Sequence, residues 1–450
     1  MQIKRIKVVH LAPHVGGGVG SVLIDWLNDT KNDTTMEHTL ACLDACHPAS
    51  LEKLSKYEIN YEDNLYKKDR KQLIDIIEQA DVVLLHYWNH PLLAHLLVTD
   101  GLPSCRLICW CHISGLHEPS IIPSYLIDLA DKIIFTSDIS RGAKKIQEAI
   151  EINSEKFETI HSTRNLDPFL ELAKKRKFSN NGKNLVYIGT VSYDKLHPDT
   201  LSIITKLSQR GFKISIIGGP DNAAIERELD SESKDVKFIG PVENIYSFLS
   251  EADIFIYPLC QTHYGTGEQA VLEAMASGLP VVAFNNPAES NLISNNFNGL
   301  LVHNSDEFVG ATISISESIE PRKRMSDIST QIVKKLYSSR DNILKFNKIF
   351  QEVVLINKRK HLIPVAINCE DSVLKSFILN TFQADQIIKK LLYSNQDAER
   401  IDIISGYIYS QVRNHSQGWI SSTKGSPKHY LRYFPDSICM AEICRNIALI

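Results

Sequence analysis

A glycine loop and a carboxylate beyond it carry the clearest chemistry in this sequence. Gly265 and Gly267 allow backbone N–H groups to converge at the start of a helix, where partial positive charge favours a phosphate. Thr266 and Gln269 have capping-box spacing, which predicts that this helix begins at Thr266. Glu273 then offers a carboxylate to sugar hydroxyls. An ordinary capped helix in an α/β fold is the alternative interpretation.

The residues around that loop predict the elements that must position it. Val271, Met275 and Leu279 recur every four residues and give the helix a core-facing stripe. Gly278 lies where the end of a helix favours a left-handed residue. Leu279–Phe284 is a short apolar run bounded by turn residues, which is typical of a buried parallel strand.

A second glycine loop lies near the N-terminus. The apolar run Ile6–Ala12 predicts a buried strand, Gly16–Gly20 follows it, and a helix continues through Trp26. A strand, a glycine loop and a helix form the arrangement that approaches a phosphate closely. Asp44, after the next predicted strand, lies where a nicotinamide-binding fold has its ribose-binding acid. An NAD-dependent enzyme is therefore one interpretation.

Polar and aromatic residues follow two further predicted strands in the N-terminal half. His86, Trp88 and Asn89 come just after one buried strand, and His112 ends the next. The carboxyl ends of parallel strands face the ligand crevice, so we expect His86, Trp88 and Asn89 to contact an acceptor. Packing is the alternative role for Trp88, and a hydrogen-bonded loop histidine is the alternative for His112.

The stretch around Glu273 resembles the donor-binding signature of the retaining glycosyl transferases group 1, or family 4, which have the GT-B fold. The matching segments are Glu273–Gly278, Glu-Ala-Met-Ala-Ser-Gly, and Asn298–Val302, Asn-Gly-Leu-Leu-Val. The resemblance implies that Glu273 holds the ribose of a donor nucleotide. The first Glu of the family signature falls on Gly265, so we expect Glu268, the nearest acid, to replace it.

The resemblance implies roles for other residues as well. Lys195 is in register with a family lysine that neutralises the departing diphosphate, whereas the family arginine is replaced by Thr190. His112 matches a histidine that contacts the transferred sugar. The catalytic candidates are thus His112, Lys195 and Glu268. Glu289 matches a further Glu common in the family, with helix capping as its alternative role.

The donor-binding candidates are the glycines of the two loops together with the residues of the helix start and of neighbouring strand ends. They are Gly17, Gly18, Gly20, Gly189, Lys195, Val242, Gly265, Thr266, Gly267, Glu268, Gln269 and Glu273. Val242 is included because the family packs the corresponding loop on the nucleobase.

Two runs of alternating strands and helices, each with an early glycine loop, predict an α/β fold with two doubly wound Rossmann-like domains facing across a cleft. We expect an N-terminal domain over 1–168, a linker, and a C-terminal domain over 184–350. A mostly helical extension covers 351–450. The length of 450 residues suits two domains.

Composition restricts the class of protein. A formal net charge of -4 gives no basic footprint for nucleic acid. No apolar run is long enough to span a bilayer, and the N-terminus lacks a signal-peptide profile. Nine cysteines without secretory signs favour reduced thiols in the cytoplasm. Peripheral contact with the inner face of a membrane stays open.

The resemblance implies a retaining glycosyltransferase that moves a sugar from a nucleoside-diphosphate sugar, with UDP or GDP as the expected nucleotide. The acceptor is a hydroxyl of a sugar, a lipid-linked glycan or a protein, in polysaccharide or glycoconjugate biosynthesis. The resemblance implies no metal and no other cofactor. A non-catalytic protein that binds a nucleotide or sugar on the same fold is the main alternative, ahead of the NAD-dependent enzyme.

Overall fold

The chain forms two compact units. The computed structural model describes residues 5–219, 227–228, 234–363, 367–413, 417–422 and 424–448. Unit 1 comprises Met1–Ser162 and Arg340–Ile450, and unit 2 comprises Thr163–Ser339. The C-terminal tail therefore belongs to unit 1, and the boundaries of the units differ from the expected ones at 168, 184 and 350.

Unit 1 is built on a parallel sheet of seven strands in the order β3-β2-β1-β4-β6-β7-β8. The strands of this unit, with β5 outside the sheet, are β1 Ile6–Ala12, β2 Met36–Cys42, β3 Tyr61–Glu62, β4 Val82–Tyr87, β5 Leu102–Cys105, β6 Leu107–Cys111, β7 Lys132–Phe135 and β8 Phe157–Thr159. All residues of β4 and β6 are buried, as expected for central parallel strands covered on both faces.

Helices connect these strands. They are α1 Gly17–Thr30, α2 Pro48–Lys56, α3 Leu65–Lys68, α4 Arg70–Gln79, α5 Pro91–His95, α6 Ser124–Leu129 and α7 Lys144–Ile152. A π-helical turn, Leu96–Asp100, continues α5, and short 3₁₀ turns cover Asp138–Gly142 and Ser154–Lys156.

Unit 2 contains a parallel sheet of six strands in the order β11-β10-β9-β12-β13-β14. The strands are β9 Asn184–Ile188, β10 Lys213–Ile217, β11 Val236–Gly240, β12 Ile254–Tyr257, β13 Val281–Phe284 and β14 Leu300–Val302. The described helices are α8 Asp167–Lys175, α9 Thr200–Ser208, α10 Tyr246–Glu251, α11 Gln269–Ala276, α12 Pro287–Leu292, α13 Ser305–Ser316 and α14 Ile319–Leu336.

The first part of the expected linker is helical. Helix α8 buries Phe169 and Leu170 in the core of unit 2. Arg176, which follows it, donates to Ser277 O at 2.8 Å, and to Ala252 O and Leu249 O, both at 2.7 Å. The first part of the expected linker thus packs on unit 2, and Arg176 binds carbonyls at the ends of α10 and α11, whereas residues 179–181 are exposed.

The tail adds a helical layer to unit 1. Its helices are α15 Ser339–Val353, α16 Ser372–Thr381, α17 Asp385–Tyr393, α18 Asp397–Arg413, α19 Pro427–Tyr433 and α20 Ile438–Ile447, with a 3₁₀ turn at Gln417–Ile420. A short strand, β15 Arg359–His361, pairs antiparallel with β5. In α16, Asn380 Oδ1 accepts from the hydroxyls of Tyr87 and Tyr125, both at 2.9 Å. Side-chain hydrogen bonds therefore join α16 to the rest of unit 1.

Two further observations concern the helices and the cysteines. Among the helices of the described ranges, none has the length and apolar run that a bilayer crossing requires. All nine cysteines are free, and six of them are buried.

Candidate functional site

Glycines line the carboxyl edge of the unit 2 sheet. Gly189 N donates to Ile217 O at 2.9 Å, and Gly218 N donates to Gly240 O at 3.0 Å. A Cβ on Gly218 would lie 1.7 Å from Gly189 O, so only glycine allows these two loops to touch. Val242 follows Gly240 and is half-buried against the core. Gly189 and Val242 thus lie on loops that follow neighbouring strands, β9 and β11.

Helix α11 begins later than its capping-box spacing predicts. The helix starts at Gln269, and Glu268 precedes it with a φ of 26°. The Glu268 side chain makes no capping hydrogen bond. The predicted start at Thr266 was wrong because the chain takes a left-handed turn at Glu268, which directs this carboxylate into the protein. A non-glycine residue in this conformation is strained, and such strain clusters at functional sites.

The Glu268 carboxylate is buried among a phenol, an ammonium and an imidazole. Tyr257 Oη donates to Glu268 Oε2. Lys195 Nζ lies 3.7 Å from the same oxygen, and His263 Nδ1 lies 3.9 Å from Oε1. The rings of Tyr257 and Tyr264 lie within 6 Å of the Lys195 ammonium, with centroid distances of 5.7 and 5.8 Å. The structure therefore brings two of the three catalytic candidates, Lys195 and Glu268, into one cluster.

The charges of this cluster fix the ionisation of Glu268. Burial alone would raise the pKa of the Glu268 carboxyl, but Lys195, and after it His263 and Tyr257, outweigh burial and lower the pKa below its usual value. Burial, and then the Glu268 charge, raise the pKa of Tyr257 well above its usual value. At neutral pH a carboxylate therefore accepts a hydrogen bond from a neutral phenol beside a lysine.

Gly265 leaves room for the Glu268 carboxylate. A Cβ on residue 265 would lie 1.6 Å from Glu268 Oε1. The carboxylate thus occupies the volume in which a side chain on residue 265 would begin. Gly265 N, however, donates to His263 Nδ1 at 3.0 Å. This N–H was expected to bind phosphate, but the histidine already uses it.

His263 and Glu289 complete the cluster, and sequence reasoning did not predict their pairing. His263 Nε2 lies 3.2 Å from the carboxylate oxygens of Glu289, whose side chain is fully buried. Burial alone would lower the pKa of His263, but Glu289, and then Glu268, raise it above its usual value. Glu289 does not cap a helix through its side chain here. It lies in the first turn of α12, and no spacing in the sequence relates it to His263, 26 positions earlier.

Glu273 and Gln269 share a face of α11, as their spacing predicts, and both contact Arg164. Arg164 Nη1 lies 3.2 Å from Glu273 Oε1, and Arg164 N donates to Gln269 Oε1 at 3.4 Å. The Glu273 side chain is nearly buried, and the arginine is partly exposed. Arg164 was not predicted, because it lies before α8, more than a hundred positions from Glu273. The expected ribose-binding carboxylate is therefore already part of an ion pair.

The first glycine loop, in unit 1, starts α1. Gly16 precedes the helix, and Gly17 has a φ of 57°. Gly20 N donates to Gly16 O at 3.0 Å, and a Cβ on Gly20 would lie 2.9 Å from the backbone of Val15. Gly17 and Gly18 are exposed, whereas Gly20 is buried. Close packing therefore explains Gly20, and the first two glycines are the accessible part of the loop.

The residues expected to contact an acceptor are buried inside unit 1. Asn89 is fully buried, and its Nδ2 donates to Tyr87 Oη, Ile121 O and Asn380 O at 3.1, 3.0 and 3.0 Å. His86 is also fully buried and contacts two other histidines. We expected these two side chains to present polar groups to a ligand. The structure corrects this expectation, because both side chains are buried and hydrogen-bonded to neighbouring segments of unit 1.

Trp88 and Asp44 also have internal partners. The ring centroid of Trp88 lies 5.4 Å from that of His14, and Lys424 Nζ lies 5.6 Å from the Trp88 centroid. Asp44, which a nicotinamide site would use for ribose, accepts from Tyr433 Oη at 2.8 Å. The Lys424 and Tyr433 contacts involve the tail, so this edge of the unit 1 sheet is covered by residues near the C-terminus.

His112 is half-buried at the end of β6. Its Nε2 lies 3.1 Å from His86 Nδ1, and among the described residues its Nδ1 has no hydrogen-bond partner. Burial, and then His86 and Lys424, lower the pKa of His112 well below its usual value. His112 is therefore a neutral imidazole whose Nδ1 is buried without a partner among the described residues.

Comparison with known proteins identifies relatives of this arrangement. Residues 182–318 match the family described as glycosyl transferases group 1. A stretch of 110 residues is 38% identical to the amylovoran biosynthesis glycosyltransferase AmsK of Erwinia amylovora. That match spans 22% of this chain and 27% of the length of AmsK.

Solved structures match a larger part of the chain. HepE of Anabaena, solved in complex with UDP and glucose, covers 77% of this chain and is itself covered in full, with a TM-score of 0.59 at 15% identity. A glycosyltransferase of Rickettsia africae covers 78%, with 99% of its own length matched, at a TM-score of 0.61 and 16% identity. The chain thus has an α/β fold of the GT-B glycosyltransferase type with a helical C-terminal region, and its residues 182–318 are similar to group 1 glycosyl transferases.

Proposed function

We propose that this protein is a glycosyltransferase that moves a sugar from a nucleoside-diphosphate sugar to a hydroxyl group. The observation that carries the proposal is the buried cluster of Lys195, Glu268, Tyr257 and His263 at the carboxyl edge of the unit 2 sheet. This edge is where open α/β sheets bind ligands. The cluster lies within the segment that matches group 1 glycosyl transferases.

Each residue of the proposed donor site has a chemical role. The Lys195 ammonium neutralises the diphosphate that leaves as the glycosidic bond breaks. Glu268 keeps this lysine in place and supplies the carboxylate that the family signature has at position 265. Glu273, held by Arg164, accepts hydrogen bonds from the ribose. Gly189, Val242 and Gly267 complete the set in unit 2 as backbone contacts.

We further propose retention of configuration, with UDP as the nucleotide and a polysaccharide or glycoconjugate as the product. HepE was solved with UDP and glucose, and AmsK acts in amylovoran biosynthesis, which supports this choice. In the family, a departing phosphate oxygen helps to deprotonate the acceptor on the same face of the sugar, without a metal. Lipid-linked acceptors and peripheral attachment to a membrane are part of the same proposal.

The first test is ligand binding followed by turnover. Thermal unfolding with UDP, GDP, ADP, TDP and NAD should show stabilisation by one nucleoside diphosphate, because a ligand that binds the folded state raises the melting temperature. Lys195→Met should weaken that binding about tenfold, since it removes a charge-assisted contact to phosphate. Lys206→Met, at an exposed lysine of the same unit, is the matched control and should bind normally.

The ribose role of Glu273 can be separated from its structural ion pair. Glu273→Gln should weaken UDP binding about tenfold and leave inorganic pyrophosphate binding unchanged, because pyrophosphate has no ribose. Lys195→Met should weaken both. Equal losses for UDP and pyrophosphate in Glu273→Gln would show that the carboxylate acts only through Arg164.

Release of the nucleoside diphosphate from its sugar conjugate, in the presence of glycan acceptors, tests catalysis. Binding without turnover across sugars and acceptors would identify the protein as a non-catalytic nucleotide-sugar binder. Stabilisation by NAD alone would move the site to the first glycine loop.

A further inference from the structure

Four neighbouring strands of the unit 1 sheet end in polar or aromatic side chains. Strands β2, β1, β4 and β6 are consecutive in the sheet, and the residues just beyond their ends are Asp44, His14, Trp88 and His112 respectively. The ring centroid of Trp88 lies 5.4 Å from that of His14 and 6.3 Å from that of His112. Because the carboxyl ends of the strands in open α/β sheets border the ligand crevice, this edge is where unit 1 would bind a ligand.

A loop of the tail lies against this edge. Gly425 has a φ of 87°, and a Cβ there would lie 2.8 Å from the Cβ of Asn89, so the close approach requires glycine. Ser120 Oγ donates to Lys424 O at 3.1 Å, and Gly425 N donates to His429 Nδ1 at 3.2 Å. The backbone that carries the Lys424 side chain is therefore fixed on unit 1 by packing and by hydrogen bonds.

Two cations of the tail lie among the aromatic rings at this edge. Lys424 Nζ lies 5.6 Å from the ring centroid of Trp88, and Arg432 Cζ lies 5.9 Å from that of Tyr433. The Tyr433 ring in turn lies 4.5 Å from the ring of His90. Lys424 is half-buried and Arg432 is exposed, so both residues can be reached from solution.

The imidazoles beside these cations are neutral at physiological pH. Burial, and then Lys424, lower the pKa of His14 to about 4. Burial, and then Lys424 and Arg432, lower the pKa of His429 to about 3. Burial and the neighbouring histidines lower the pKa of His90 well below its usual value, and the same two cations add to this effect. Because both cations act on all three rings, Lys424 and Arg432 belong to one cluster.

One carboxylate opposes the two cations at His14. Asp44 raises the pKa of this histidine, against the effect of Lys424 and Arg432. Asp44 Oδ2 also accepts a hydrogen bond from Tyr433 Oη at 2.8 Å, and this phenol is neutral. The charged side chains that act on His14 therefore leave one positive charge in excess, in a chain whose formal net charge is -4.

We propose that His14, Lys424 and Arg432 bind an anionic group, a phosphate or a carboxylate, of the molecule that occupies the carboxyl edge of the unit 1 sheet. We name these three residues the cationic site. Ammonium and guanidinium groups donate charge-assisted hydrogen bonds to both kinds of acid, and a neutral imidazole adds one further donor. An anion at this place also offsets the excess positive charge of the edge.

The cationic site gives the proposed reaction a class of acceptor. If the protein transfers a sugar to a hydroxyl, the molecule that carries this hydroxyl is an acidic sugar or a glycan that bears a phosphate. This assignment rests on the proposed function, whereas the anion site itself does not. All three residues lie outside the stretch 182–318 that matches group 1 glycosyl transferases, so that match does not imply the site.

Binding of small sugars to the full chain tests the site. The probes for isothermal titration calorimetry are glucose 6-phosphate, glucuronate and uncharged glucose. We expect at least one of the two acids to bind at least about tenfold more tightly than glucose, because its contacts are charge-assisted. The acid that binds more tightly identifies the anionic group. Equal affinities for all three sugars, or no binding of either acid, would overturn the proposal.

Substitutions separate the charge of the cationic site from its structure. Lys424→Met keeps the aliphatic stem and should abolish the preference for the acid, whereas Lys424→Arg keeps the charge and should retain the preference. Arg432→Met, at an exposed residue, should reduce the preference independently. Lys428→Met, at an exposed lysine four positions after Lys424, is the matched control and should bind normally. An unchanged preference in both Lys424→Met and Arg432→Met would contradict the site.

A second measurement locates the anion beside His14. Protein labelled with ¹⁵N-histidine is titrated with inorganic phosphate at neutral pH and constant ionic strength, and His14→Gln assigns the signal. The side-chain signals of His14 should shift. His95 is the reference, because its pKa is also about 4 but its charged neighbours are Arg70 and Asp371. Unchanged His14 signals, or equal shifts for His95, would contradict the site.

Affinity for UDP distinguishes the cationic site from the proposed donor site. Lys424→Met should leave UDP binding unchanged, and Lys195→Met should leave the preference for the acid unchanged. Loss of UDP affinity in Lys424→Met would show that the cationic site takes the nucleotide, which would overturn the proposal. With turnover, Lys424→Met should raise the KM of an acidic acceptor about tenfold at similar kcat. The calorimetric and NMR results stand even where the protein transfers no sugar.

Discussion

Glu268 and Gly265 depend on each other for their positions. The Glu268 carboxylate occupies the space in front of Gly265, and the left-handed backbone at Glu268 directs it there. The carboxylate is thus held by backbone geometry as well as by Tyr257 and Lys195. Its position is sensitive to a single methyl group on the neighbouring glycine.

We predict that Gly265→Ala displaces this carboxylate. The added Cβ would lie 1.6 Å from Glu268 Oε1 and 2.8 Å from His263 Nδ1, so both side chains must move. Turnover should fall at least about a hundredfold, as for the loss of a preorganised charge-stabilising group. Steady-state kinetics with the nucleotide sugar measures this.

Gly310→Ala is the control for that substitution. Gly310 lies in helix α13, where a Cβ meets no atom within 4 Å, so alanine should stabilise the protein by about 0.4–1 kcal/mol at normal turnover. Full activity in Gly265→Ala would contradict the role of the Glu268 carboxylate.

Glu268 also makes stability depend on pH. Its pKa is lower in the folded protein than in an unfolded chain, so its ionisation stabilises the folded state at neutral pH. This contribution is complete above the unfolded pKa of about 4.3 and is lost as pH falls through the folded value. We expect the melting temperature of the unaltered protein to fall towards that of Glu268→Gln as the medium is acidified. Differential scanning calorimetry of the two proteins from pH 7 to pH 3 measures the difference, and a difference that grows in acid would contradict the assignment.

Among the elements, α11 is fixed at both ends by side chains from other segments. Its Gln269 and Glu273, four residues apart, contact Arg164. Gly278, with a φ of 72°, ends it as the sequence predicts, and Arg176 binds the carbonyl of Ser277. The helix that carries the proposed ribose contact therefore depends on Arg164, from the end of the expected N-terminal domain, and on Arg176, from the expected linker.

Arg176→Met should lower the free energy of unfolding of unit 2 by about 3 kcal/mol. The variant leaves the carbonyls of Leu249, Ala252 and Ser277 without their guanidinium donor, and each buried unpaired carbonyl is costly. Denaturation with urea, followed by far-UV circular dichroism, measures the change. Lys174→Met, at an exposed lysine two positions earlier, should have little effect, and equal stability of the two variants would refute the bridging role.

At the scale of the whole molecule, the two units differ in that the tail and all the tryptophans belong to unit 1. All four tryptophans, Trp26, Trp88, Trp110 and Trp419, are buried in unit 1. Tryptophan fluorescence therefore reports on unit 1, whereas circular dichroism reports on helices and strands of both units. Trp26, Trp88 and Trp110 precede Ser162, and Trp419 belongs to unit 1 because the chain returns to that unit at Arg340.

A nucleotide bound in unit 2 should stabilise that unit. At a UDP concentration of about one hundred times Kd, the expected gain is about 2.7 kcal/mol. We expect UDP to raise the midpoint of an unfolding transition seen by circular dichroism, in a titration that monitors tryptophan fluorescence in parallel. A shift seen by fluorescence alone would place the nucleotide in unit 1 and contradict the proposed site.

The sequence by itself determined the elements and their order. Strand β1 spans Ile6–Ala12 as predicted, β13 spans Val281–Phe284 within the predicted run Leu279–Phe284, and Gly278 ends α11. These features depend on apolar runs, periodicity and glycine conformations, which act over a few residues and can be read locally. The same local patterns, with the family resemblance, predicted the α/β fold and directed attention to Lys195 and Glu268.

Only the tertiary structure decided which side chains meet. Arg164 and Glu273 lie 109 positions apart, and the tail helix residue Asn380 reaches Tyr87 across 293 positions. Residues at such separations meet because of sheet order and the return of the chain, and no local spacing encodes that. For the same reason the sequence placed Asn89 and His86 at a ligand, although burial between neighbouring segments gave Asn89 Nδ2 and both ring nitrogens of His86 internal partners.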